Sequence, residues 1–160
     1  MTTKTVKKKA VKKKAAPKKK SAKPAITKKS DKSDELTLQI VATAKCQTLS
    51  GKSTITYNLG ADNKNALFIR IKGNTGGGFY SDEWIPLDNI TAILDEVPAD
   101  TPISSLHLFP LFNGKSVNTP GYLLASLLSE GVLSLAQGKK RVYHYSGTDK
   151  LLAKLQKKLK

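Results

Sequence analysis

Cysteine is nearly missing from this sequence. Cys46 stands alone, which excludes an internal disulfide and a cysteine metal cluster and fits a reducing compartment. Acidic residues are also scarce, 12 Asp and Glu against 28 Lys and Arg, and the resulting charge of +16 is far outside the usual range for a soluble enzyme. No apolar run approaches the ~20 residues that a spanning helix needs. The early lysines are not followed by the apolar stretch of a secretory signal. Arginine is absent from residues 1–33, whereas organellar transit peptides favour it. His107 and His144 have no companion at metal-ligand spacing. No Ser/His/Asp set or carboxylate pair is placed together by the sequence, so neither an enzyme nor a cofactor is expected.

What is present is lysine, and it is unevenly spread. Residues 1–33 hold 14 lysines and one acid, Asp31, for +13; residues 150–160 carry +5; residues 34–149 carry −2. The basicity therefore belongs to the two ends. Three parts follow: a lysine-, alanine- and proline-rich tail over 1–33, a folded domain over 34–149, and a basic amphipathic helix over 150–160.

The tail repeats lysine triplets, Lys7, Lys8 and Lys9, then Lys12, Lys13 and Lys14, then Lys18, Lys19 and Lys20, separated by Ala, Val and Pro. It has no aromatic residue and almost no large apolar side chain to offset the entropy of ordering. Its like charges repel, and Pro17 and Pro24 discourage a continuous helix. A disordered cationic brush is expected. Lysines of this kind neutralise phosphates without reading base edges. The run KKKAVKKKAAPKKKSAKP resembles the tails of linker histones and of bacterial linker-histone-like proteins. That resemblance, compositional and limited to about a fifth of the chain, implies DNA condensation by charge neutralisation and a nucleoid-associated, cytoplasmic location. A eukaryotic source would make KKKAVKKK a nuclear address.

The domain reads as α+β: an antiparallel β-meander followed by helices. Leu36–Thr43 alternates with period two and places Leu36, Leu38, Ile40 and Ala42 on one face. Ser53–Leu59 places Ile55, Tyr57 and Leu59 inward, and Leu67–Lys72 does the same with Leu67, Ile69 and Ile71. A fourth strand is expected between the Gly76-Gly77-Gly78 loop and Ile85. Asp88 reads as the N-cap of a helix over 89–96, and Ile103 or Ser104 to Phe112 as a second helix. Asn118 or Thr119 then caps a third helix, with Pro120 at its first position and Gly131 as its terminator. Two short strands, Val132–Leu135 and Val142–Tyr145, follow. Helix, turn, helix and hairpin over 103–146 is the layout of a winged helix, with Lys139, Lys140 and Arg141 at a tip that can touch phosphates. The outer face of the would-be recognition helix offers Tyr122, Ser126 and Ser129 and no cation, so little base reading is expected.

Several features have plainer readings. Gly51-Lys52-Ser53-Thr54 ends like a phosphate loop, but Cys46 stands where the first glycine should be and a strand follows, so it reads as a hairpin turn. Phe79, Tyr80 and Trp84 could stack unpaired bases on an open sheet face, yet Asp82 and Glu83 among them favour packing. In the C-terminal helix, Leu151, Leu152, Leu155 and Leu159 make an apolar stripe, with Lys154, Lys157 and Lys158 beside it. Docking on the domain is the first choice for that stripe, ahead of pairing with a second copy or lying on an anionic membrane. The composition thus points to largely sequence-independent binding of double-stranded DNA. RNA or ribosome binding, and a protein-interaction module whose tail only localises it, are the alternatives.

Overall fold

The computed structural model describes residues 38–112 and 116–159. The expected disorder of the tail and its nine triplet lysines, like Leu36 at the start of the first strand, lie outside the described residues. The meander is present. Strands β1 (Gln39–Gln47), β2 (Thr54–Ala61), β3 (Leu67–Asn74) and β4 (Ile85–Pro86) pair antiparallel in chain order. Helix α1 (Leu87–Asp95), a 3-10 turn (Phe109–Phe112), helix α2 (Thr119–Ser129), the hairpin β5 (Leu133–Leu135) and β6 (Tyr143–Tyr145), and helix α3 (Asp149–Leu159) complete the chain.

The period-two reading places the core correctly on β2 and β3, where Ile55, Tyr57, Leu59, Ile69 and Ile71 are all buried. On β1 the alternation slips. Ile40 lies opposite Gly60 while Ala42 lies opposite Leu59, leaving Val41 as an extra residue. This bulge turns Ile40 outward to 54% exposure and lets Val41 and Ala42 meet the core. The helices cover the inner sheet face. α2 packs on β1, β2, β3, β5 and the 3-10 turn, α1 on β3 and β4, and α3 on β1.

The fourth strand is far shorter than its sequence suggests, because the backbone ahead of it finds other partners. The Phe79 carbonyl accepts from Ser116 Oγ (3.0 Å) and Asn118 Nδ2 (3.2 Å), and Ser81 N–H donates to Thr119 Oγ1 (2.8 Å). The same bonds correct the reading of Asn118 and Thr119 as side-chain caps. Asn118 is the N-cap of α2, but no side-chain cap bond forms, and both side chains are spent on the 79–81 segment. Gly131 does end α2: with φ 77° it sends its N–H to the Leu128 carbonyl, and Val132 N–H reaches Leu127, which is a Schellman closure. Asp88 is not a cap either. Pro86 precedes a helix that starts at Leu87, so Asp88 sits in the first turn, where a carboxylate favours the dipole.

The expected helix over 103–112 is absent. Ile103 bridges to Tyr143 instead, and the residues after it bond at three-residue spacing, from His107 to Ser104 through Leu111 to Leu108. Two causes are visible: the His107 ring Nδ1 accepts the Ser104 N–H (3.0 Å), and Pro110 has no N–H to continue a ladder. His107 is thus a turn residue. The winged-helix layout survives only as α2 followed by a hairpin.

On the opposite sheet face Trp84 lies back across β2 and β3. The Arg70 guanidinium stands 4.5 Å from its ring centroid, a cation–π contact. A Cβ on Gly60 would come within 2.8 Å of the Trp84 ring, so this approach needs glycine. α3 is docked, with Leu151 and Leu155 buried in the shared core, and Asp34–Lys160 forms one unit. Among the described residues no helix is long and apolar enough to cross a membrane.

Gly60→Ala should displace Trp84 and lower stability by about 1–3 kcal/mol. Because Trp84 is the sole tryptophan, its emission maximum in the native state should also shift. Unchanged emission with unchanged denaturation would contradict the packing described.

Candidate nucleic-acid interface

The wing tip is a tight loop closed by Ala136 N–H to the Val142 carbonyl (2.8 Å) and Lys139 N–H to Ala136 (3.1 Å). Gly138 and Arg141 both take positive φ, 70° and 68°. Such a backbone is unfavourable for arginine by ~1–2 kcal/mol. Lys139, Lys140 and Arg141 are all exposed.

α2 cannot act as a recognition helix. Thr119, Pro120 and Leu123 to Leu127 are buried. Of the three outer-face residues, Ser126 is fully buried with Oγ donating to the Tyr122 carbonyl (3.0 Å), and Tyr122 is half-buried. Only Ser129 is exposed. The helix packs on β1, β2, β3, β5 and the 3-10 turn, and the side it leaves open, with Asn118, Tyr122 and Ser129, carries no cation.

What lies over α2 is a groove. The β1–β2 turn is held by Thr48 N–H to the Ser53 carbonyl (2.9 Å) and Gly51 N–H to Thr48 (2.8 Å), so Gly51-Lys52-Ser53-Thr54 is the expected hairpin turn. The glycine loop packs directly on it, since a Cβ on Gly76 would meet the Ser53 Cβ at 2.8 Å. Asn74 ties that loop to α2: its Nδ2 donates to Tyr122 Oη and to the Gly77 carbonyl, both at 2.8 Å. Between these loops, α2 and the wing tip runs a cavity of about 700 Å³ whose walls include Lys52, Asn118, Tyr122 and Arg141. An adjoining hollow of about 600 Å³ shares Thr48, Leu49, Ser50, Arg141 and Tyr143 with it and adds Cys46 and Lys140. Lys52, Lys140 and Arg141 are among the lining of these two neighbouring hollows, and among the described residues no Asp or Glu is. Burial raises the Cys46 thiol, with the Ser126 hydrogen bond opposing and Glu130 adding to the rise, so this cysteine stays a neutral thiol.

The structure separates the other candidate cations from the groove. Lys154 reaches a buried carboxylate, Glu130 Oε2, at 2.5 Å, while Tyr57 Oη donates to Glu130 Oε1 at 2.6 Å. The Lys154 charge is therefore already engaged within the protein. Lys157 and Lys158 are exposed on α3. Of the aromatic trio, Trp84 is committed to Gly60 and Arg70, and Tyr80 Oη donates to the Lys72 carbonyl (2.7 Å), whereas Phe79 is 89% exposed. Sequence reasoning singled out the wing tip but not Lys52 or Tyr122 as its companions. It also missed the link from Tyr57 through Glu130 to Lys154, because these residues on β2, α2 and α3 are far apart in the chain.

That link carries a pH signature. Burial first, and the Glu130 hydrogen bond second, push the Tyr57 hydroxyl well above its ordinary value near 10, with Ser129 opposing. The folded state keeps a proton that the unfolded chain begins to release near pH 10, so this contribution is intact below that pH and is lost as pH rises beyond it. Tyr57→Phe should cost about 1–2 kcal/mol at neutral pH and should flatten the alkaline fall in stability. Equal slopes for the two proteins in denaturant titrations above pH 10 would contradict the assignment.

No family model matches this chain, and comparison with curated proteins and with solved structures likewise yields no match.

Proposed function

We propose that this chain is a non-enzymatic DNA-binding protein of nucleoid or chromatin type, holding duplex largely without regard to sequence. The observation that carries the proposal is the partition of charge: 14 lysines and one acid in residues 1–33, against a net −2 over residues 34–149. Lysine triplets at this density are suited to displacing counterions from a polyphosphate. The exposed Lys139, Lys140 and Arg141 of the wing tip, and Lys157 and Lys158 of α3, supply secondary phosphate contacts that orient the domain. The burial of α2 agrees with a mode that reads charge and not bases.

The test is a salt titration of duplex binding by the full chain and by a variant with all nine triplet lysines changed to alanine. If about eight lysines neutralise phosphates, the log–log slope should be roughly −7. The variant should bind all sequences more weakly and with a much flatter slope. A structured-RNA competitor at physiological ionic strength, about 0.15 M, should displace the protein from DNA only weakly. Preference for the RNA would overturn the choice of partner, and an unchanged slope in the variant would overturn the role of residues 1–33.

A further inference from the structure

The groove over α2 has a character that duplex binding by a lysine-rich segment leaves unused. It is concave, floored by a helix and walled by two loops and the wing tip. A duplex would ride across such rims, whereas a single strand can enter. Its volume of about 700 Å³, before the adjoining hollow is added, lies within the ~300–1,000 Å³ typical of ligand sites. Lys52 and Arg141 line it, Lys140 and Arg141 line the adjoining hollow, and among the described residues no carboxylate lines either. The remaining lining is neutral and rich in hydroxyls and amides, among them Thr48, Ser50 and Asn118, groups able to bond base edges.

Aromatic surface stands beside these cations. Tyr122 is part of the groove wall, its hydroxyl fixed by Asn74. Phe79 is 89% exposed, and its backbone is tied to the groove wall through its carbonyl, which accepts from Ser116 and from the lining residue Asn118. None of the described residues covers it, although a ring of that size is normally buried. Backbone-tracking cations with an aromatic face for a base are the elements of a single-strand site. An acidic peptide would use the cations but not the ring.

From these placements we infer that the groove between the β1–β2 turn, the glycine loop and the wing tip binds an unpaired nucleic-acid strand, with phosphates on Lys52, Lys140 and Arg141 and a base stacked on Phe79. The site is built from residues of the domain alone and stands whether or not residues 1–33 carry duplex binding.

The experiment uses the full chain with fluorescein-labelled oligothymidine and a duplex of equal length, at roughly 0.3 M salt to suppress long-range attraction. Two variants are compared: Lys52→Ser with Arg141→Asn, where asparagine tolerates the positive φ, and Phe79→Ala. The paired charge change should weaken oligothymidine binding about tenfold or more and reduce its salt slope by roughly 1.4. Phe79→Ala should weaken it at least about fivefold. Phe79→Ala should change duplex affinity less than about twofold, whereas the paired charge change, which removes one secondary duplex contact at Arg141, should weaken duplex binding by a clearly smaller factor than oligothymidine binding. Trp84 emission reports that each variant is folded. If a variant does not fold, photocrosslinking of bromouracil-substituted oligonucleotide to the unaltered protein decides instead, and crosslinks should fall on Phe79 or Tyr122. Equal losses on duplex and single strand, no loss on the single strand, or crosslinks confined to the lysine triplets would overturn the inference. Displacement of oligothymidine by polyglutamate with the same sensitivity to both variants would reassign the groove to acidic peptides. The nine-lysine variant should lose duplex binding yet keep the groove's sensitivity, which separates failure of this site from failure of the duplex reading.

Discussion

The burial of α2 is the constraint on which the rest of the molecule depends. Strands from the meander lie on one side of it, the 3-10 turn and β5 on others, and its run from Leu123 to Leu127 is closed to solvent. A helix so placed organises the core and cannot also probe a DNA groove. Under the proposed function, contact with a polyanion falls within the domain to the hairpin turn carrying Lys52, the wing tip and the exposed Lys157 and Lys158 of α3. These are isolated cations, suited to phosphate and not to reading base edges.

A second consequence concerns how the domain spends its own charges. Glu130, at the C-terminal end of α2, is buried and holds Tyr57 from the sheet and Lys154 from α3. A buried carboxylate without partners would be strongly destabilising. The two bonds make this one a clamp that fixes α3 against the sheet, beside the apolar contacts of Leu151 and Leu155. Lys154 is thereby ion-paired within the domain, while its side chain stays partly exposed. Lys157 and Lys158, one turn further on, are exposed. The C-terminal helix is therefore divided between holding the domain together and facing solvent.

How much was legible in the sequence depended on how local the deciding interaction was. Period-two runs located β2 and β3, proline and glycine punctuation located α2, and the lysine stripe and leucine stripe of α3 predicted its docking. Errors arose where distant partners intervened. Asn118 and Thr119 have the chemistry of caps but bond to residues 79–81, and the same bonds draw that segment away from a longer fourth strand. Ile40 follows the alternation, yet a bulge that depends on pairing with β2 turns it outward. The segment after Ile103 is apolar enough for a helix, but a bridge to Tyr143 and the His107 ring fix it as turns. The groove was illegible for the same reason. Residues from 48–53, 74–77, 117–122 and 140–143 meet there, and none carries a motif that announces the others.

The proposed function assigns bulk charge to the 14 lysines of residues 1–33 and a fixed body with a few cations to the domain. That proposal requires α2 to stay in place when nucleic acid binds. Amide hydrogen exchange of the full chain, with and without saturating duplex DNA, measures that most directly. The account predicts that the amides of Leu123 to Leu127 remain among the slowest to exchange in both states, with changes confined to the wing tip, the β1–β2 turn and residues outside the domain. Faster exchange along α2 on binding, with direct DNA contacts from its buried residues, would contradict it.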